Sequence, residues 1–136
     1  MSTSDYKSQA EHARHKLETI SPTMCLAKWN QTSLHLPTGL TKSCYHPPLH
    51  EIDAEQLKHN PAALHNTKEK LRQREQMLKG ERPKGCSYCW KLEDTGEISD
   101  RHYRSGEPWA MQDFEQIRQN PMKADWTPRY VEVNFN

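Results

Sequence analysis

The chemistry available to this chain is concentrated in four cysteines, Cys25, Cys44, Cys86 and Cys89. Thiolates bind soft metal ions and iron-sulfur clusters, and in an oxidising compartment the same residues pair as disulfides. Thirteen residues separate Cys25 from Gly39 and four separate Gly39 from Cys44, while Cys86 and Cys89 form a Cys-x-x-Cys pair. One close pair completed by cysteines from elsewhere in the fold is a common construction for zinc and for iron-sulfur sites alike, because both accept thiolates in a tetrahedral arrangement. Residues Met1 to Lys16 are polar and charged, with no apolar stretch and no cleavage-site pattern, so no secretory route is indicated. A thiolate site in a cytoplasmic protein is therefore expected in place of two disulfides.

The other reactive residues read as background to that site. Among eight histidines, His46 lies two residues past Cys44 and His35 precedes it, but surface or hydrogen-bonding roles are expected and neither is assigned as a ligand. Trp29 and Trp90 flank the cysteine segments, where ring bulk would keep water from a cluster and where ordinary core packing would place them equally well. Lys28, Lys84 and Lys91 carry charge that can offset a thiolate site, although solvated positions are expected for each. The run from Lys68 to Arg74, interleaved with Glu69 and followed by Glu75, has the pattern of an exposed helix face. Asp100 to Arg104 reads as surface loop. No Gly-x-Gly-x-x-Gly, phosphate loop or Gly-x-Ser-x-Gly occurs, so nucleotide and hydrolase chemistry have no sequence support. Nineteen basic against eighteen acidic residues leave a net charge of +1, without the excess that phosphate-backbone binding needs, and nucleic acid is not expected as a partner. No apolar run reaches the roughly 18 residues of a membrane span.

These residues must be positioned by a chain that is only 33% hydrophobic over 136 residues, too little for a generous core, so a metal staple is expected to contribute to its stability. Residues 1–23 read as a polar, partly disordered arm whose short apolar face is Ala10, Ala13 and Leu17. From Met24 to His46, scattered apolar residues around Pro37-Thr38-Gly39 predict a β-hairpin, which would fold Cys25 and Cys44 together. A short helix is expected over Asp53 to Lys58, and after Asn60-Pro61 a longer one over Asn66 to Lys79, closed by Gly80. Leu57, Leu64, Leu71 and Leu78 recur every seven residues and read as a single core-facing stripe; Pro61 argues against a zipper. Glu93 to Pro108 reads as loop, Trp109 to Gln119 as an amphipathic helix, and the alternation from Tyr130 to Asn136 as a strand. The fold class expected is a small α+β module with a β-hairpin, two or three helices and a C-terminal strand, divided into the arm, a cysteine-ligated module over 24–120, and a linker with the terminal strand over 121–136.

The pattern Cys-x13-Gly-x4-Cys followed by Cys-x2-Cys resembles the auxiliary-cluster module of radical SAM enzymes, called SPASM in its long form and twitch in its shortened form. Cys25-Leu-Ala-Lys28-Trp29, Ser43-Cys44-Tyr-His46-Pro47, Asn60-Pro61-Ala-Ala-Leu64-His65-Asn66, Gly80-Glu-Arg82-Pro83 and Cys86-x-x-Cys89-Trp90 are similar to the N-terminal module of twitch-domain radical SAM proteins, and the likeness runs from about Cys25 to Asn136. It implies a hairpin and a helix framing a 4Fe-4S cluster held by Cys25, Cys44, Cys86 and Cys89, with structural zinc, in a protein-interaction module, as the alternative for the same ligands. Four thiolates would leave no open iron, which implies electron transfer or structural support. In that family the strand resembling Arg129 to Asn136 opens the catalytic barrel and leads to the Cys-x3-Cys-x2-Cys motif that binds the cluster cleaving S-adenosylmethionine. No such motif occurs in these 136 residues, so that reaction is not carried over and catalysis by this chain alone is not expected. The resemblance implies a fragment or a split subunit, with a separate polypeptide carrying the radical SAM core as its partner; unless it pairs there, the terminal strand is expected to be mobile.

Overall fold

The computed structural model describes residues 3–135; Met1, Ser2 and Asn136, at the ends of the expected arm and strand, lie outside the described residues. The fold is α+β, as expected, with eight α-helices and a four-stranded mixed sheet among the described residues. That is more helix than the two or three expected, because several of the additional helices are only four to eight residues long, too short to show an apolar period.

The sheet begins with the hairpin. Strands β1 (Gln31–His35) and β2 (Leu40–Lys42) pair antiparallel with His35 opposite Leu40 and Ser33 opposite Lys42. Gly39 closes the turn at φ +69°, a conformation that strains any residue with a Cβ. A two-residue strand β3 (His50–Glu51) adds antiparallel to β2, and β4 (Tyr130–Asn134) adds parallel to β1, giving the order β3-β2-β1-β4. The terminal strand is therefore paired within the chain. The expectation that it would otherwise be mobile is corrected by its full register with β1, from Gln31 opposite Tyr130 to His35 opposite Asn134. Arg129 anchors the approach to it, donating its backbone N–H to the Asn30 carbonyl at 2.7 Å and its side chain to Asp113 at 2.8 Å.

The segment expected as a partly disordered arm forms helix α1 (Thr3–Glu18), with Ala10, Ala13 and Leu17 buried. Three apolar residues suffice because α1 lies against α6 (Asp100–Ser105), where Gly106 lacks the Cβ that would sit 3.1 Å from the Gln9 carbonyl oxygen. Tyr6 adds a hydroxyl donation to Glu107 at 2.6 Å and stacks on Tyr103. Helix α2 (Ala27–Asn30) is buried throughout and leads directly into β1. Helix α3 (Ala54–His59) is capped by Asp53, a 3-10 turn at Pro61–Leu64 by Asn60, and α4 (Lys68–Leu78) by Thr67, in each case through a side-chain oxygen accepting a backbone N–H.

Helix α4 departs most from the sequence reading. Leu57, Leu64, Leu71 and Leu78 are all only half-buried, so the core-facing stripe is not the leucine heptad. The buried face of α4 is Lys70, Gln73, Arg74 and Met77, with Lys70 and Arg74 at 0% exposure. The spacing is that of a helix packed on a core, but the residues are polar; their partners on β1 and the preceding loop, rather than their hydrophobicity, hold them inside.

Helix α5 (Ser87–Asp94) begins directly after Cys86 and contains Cys89, and α6 replaces the loop expected over Glu93 to Pro108. The single helix expected over Trp109 to Gln119 is two, α7 (Pro108–Met111) and α8 (Phe114–Gln119), which bury Ala110, Phe114 and Ile117. The apolar core joins Leu17, Leu26, Trp29, Trp90 and Ile117 to Cys25, Cys86 and Cys89, so three of the four thiols belong to the hydrophobic core itself. No described helix is long and apolar enough to cross a membrane.

Candidate metal centre

Each cysteine reaches the site from a different piece of local structure. Cys25 sits just ahead of α2, where the backbone N–H of Leu26 donates to Ser105 Oγ of α6 at 3.0 Å. Cys44 lies two residues beyond β2, brought back by the hairpin. Cys86 ends a 3-10 turn at Lys84–Cys86, and Cys89 stands one turn later in α5, so the three-residue spacing places both on one side of the chain.

All four cysteines line one cavity of about 20 Å3, measured as room for the centre of a water-sized sphere. All four are free thiols. Cys25, Cys86 and Cys89 are buried and Cys44 is half-buried, making Cys44 the ligand candidate nearest solvent. Among the described residues, no group of three or more His, Cys, Asp or Glu side chains converges on a single-ion position. The four thiols are brought together as the lining of one cavity.

Burial pushes the Cys25 thiol up to about 11, with the neighbouring Cys44 and Cys86 raising it further and Lys28 and Arg101 opposing. Burial likewise raises Cys86, and raises Cys89 to about 12, with Cys25 adding to the latter. The mutual repulsion of their anionic forms is the electrostatic sign that the thiols share one site.

The cavity wall between the cysteines is charged. Lys28, which the sequence leaves as a solvated lysine, is 2% exposed and lines the cavity, whereas Lys84 and Lys91 are exposed. Its Nζ donates to Ser43 Oγ at 2.8 Å and to Gln73 Oε1 at 2.6 Å. Arg101, read as surface from sequence, is 4% exposed, pairs with Glu93 at 2.6 Å and donates to the Met24 carbonyl at 2.6 Å. It thereby ties α5 and α6 to the residue preceding Cys25. No family model, curated protein or solved structure matches this protein. The site is thus described by its own residues.

At the outer side of the cavity, His46 stacks on Tyr88 with ring centroids 4.0 Å apart and meets Asp100 Oδ2 at 2.6 Å. His46 therefore belongs to the wall of the site, whereas His35 does not line the cavity. Trp90 also lines it, held by an indole N–H donation to the Pro83 carbonyl at 2.8 Å, while Trp29 is core. Arg101, His46 and Asp100 were missed because each is polar and isolated in sequence; the one legible clue was the position of His46 beside Cys44.

Proposed function

We propose that this chain is an auxiliary-cluster module of the twitch/SPASM kind, which binds a 4Fe-4S cluster through Cys25, Cys44, Cys86 and Cys89. The observation that carries this reading is that four cysteines, from segments spread between residues 25 and 89, line a single cavity. The donor set is all thiol, which suits iron-sulfur clusters and zinc. Four thiolates on one zinc, at about 2.3 Å each, would stand roughly 3.8 Å apart.

When bound, such a cluster stores and passes single electrons. The protein's own contribution is to supply the four ligands, to exclude water with Trp90 and the core that contains three of the cysteines, and to bring one ligand, Cys44, toward the surface. With every iron ligated by the protein, electron transfer or structural support fits better than direct substrate binding. The partner in this reading is a separate polypeptide carrying a radical SAM core. The open outer edge of β4, with Val131, Val133 and Phe135 exposed, supports such pairing.

Four single Cys→Ser variants test the site. Anaerobically reconstituted wild-type protein is expected to show a broad visible absorption that bleaches in air, and each variant to lose most of it. Retention of the full absorption by any one variant would contradict four-thiolate ligation.

A further inference from the structure

Three cations are buried beside the four-cysteine cavity with no carboxylate to pair them. Lys28 is 2% exposed, and Lys70 and Arg74 are 0% exposed. Lys28 donates to the neutral Ser43 and Gln73, and its ammonium also bonds the Cys86 thiol. Lys70 Nζ donates to Thr32 Oγ1 at 2.8 Å and meets His65 Nδ1 at 3.2 Å. Arg74 donates to the Lys28 carbonyl at 3.0 Å and to Asn66 Oδ1 at 2.7 Å. Each donor finds an oxygen or a ring nitrogen, but none finds an anion. His65, between the two α4 cations, is pushed down to about 2 by burial and their charge, so it adds no compensation. Burial and the neighbouring Arg74 and Lys28 also drive Lys70 well below its ordinary value, and only Cys44 opposes them.

Several kcal/mol of desolvation oppose each unpaired buried charge, which a fold tolerates when an anion enters beside it. Asp100 also lines the cavity, but its carboxylate meets His46 at 2.6 Å, so the anions left for these cations are the thiolates that ligation creates. A cluster held by four thiolates carries net negative charge, and a one-electron reductant adds to it. We infer that Lys28, backed by Arg74, is the counter-charge of the cluster: it favours loading and holds the reduced form, setting the reduction potential of the site. Lys28 is the member that faces the cavity, and Arg74 stands behind it through its bond to the Lys28 carbonyl. This inference rests on the cluster reading of the same site.

The test compares wild type with Lys28→Met, which keeps the length of the side chain and removes its charge, and with Lys91→Met at an exposed lysine as the control. Dye-mediated titration with dithionite reads the potential of the loaded proteins, and thermal melting reads the metal-free ones. Lys28→Met is expected to shift the potential downward relative to wild type and Lys91→Met, and to melt at a higher temperature than wild type when metal-free. Loss of the cluster from Lys28→Met while the metal-free fold melts at or above wild type supports the same inference, because only the anion's partner has gone. An unchanged potential in a loaded Lys28→Met protein, or a metal-free variant that melts lower than wild type, would overturn it. If wild type takes up no iron and sulfide, the cluster reading fails and takes this inference with it; if wild type loads and Lys28→Met matches it, only the inference fails.

Discussion

Cys25 and Cys89 are protonated in the metal-free protein at neutral pH, because burial raises them to about 11 and about 12 from an ordinary 9.0. Two consequences follow from that proton. Ligation requires thiolate, so loading must release protons and strengthen as pH rises. The metal-free fold behaves in the opposite sense. An acid whose folded value is raised stabilises the fold fully below its unfolded value, and that stability is lost as pH rises through the folded value. The melting temperature of the metal-free protein is thus expected to fall from about pH 9 upward. Melting curves across this range check it, and a Cys25→Ser variant is expected to flatten the decline; an equally steep decline in that variant would remove Cys25 as its source.

At the scale of elements, Arg101 joins the two halves of the site. It links α6 to Glu93 of α5 and to the carbonyl of Met24, and its ion pair is buried, with side-chain exposures of 4% and 14%. Arg101→Met leaves Glu93 buried without its partner, and is expected to cost about 3 to 5 kcal/mol of stability by chemical denaturation and to lower cluster retention. A change below about 1 kcal/mol would show that the two cysteine segments are held by something else. The same elements set the acid limit of the fold. Burial lowers His50 and His102 to about 4 from an ordinary 6.5, so their stabilisation is present above 6.5 and lost as pH falls toward 4. Intrinsic tryptophan fluorescence is expected to report loosening across that interval. Elements governed by turn chemistry or apolar pattern were legible in sequence: the hairpin at Gly39, the break at Pro61 and the strand at Tyr130. Helices α4 and α6 were not legible in the way they pack. Their inward faces carry Lys70, Arg74, Arg101 and His102, whose burial depends on partners distant in sequence and leaves no hydrophobic period.

The whole molecule is a small α+β fold in which the apolar core and a set of buried cations meet at a cavity lined by four thiols. The four cysteines could be named from sequence because a thiol announces its chemistry by residue type; the cations beside them could not, because a buried lysine and a solvated one look alike in one dimension. The same holds for the sheet. Strand β4 was legible as a strand but not as the parallel neighbour of β1, a pairing across about a hundred residues. Its exposed Val131, Val133 and Phe135 leave an apolar edge that invites association. Val133→Lys is expected to reduce concentration-dependent self-association in sedimentation while changing stability by no more than about 0.5 kcal/mol. Undiminished association would direct attention away from this edge. The central claim is that the cavity holds an iron-sulfur cluster, and the most direct measurement is the iron, acid-labile sulfide and zinc content of protein purified without oxygen. About four iron and four sulfide per chain are expected; one zinc per chain without sulfide would contradict the claim and make the site a structural zinc centre.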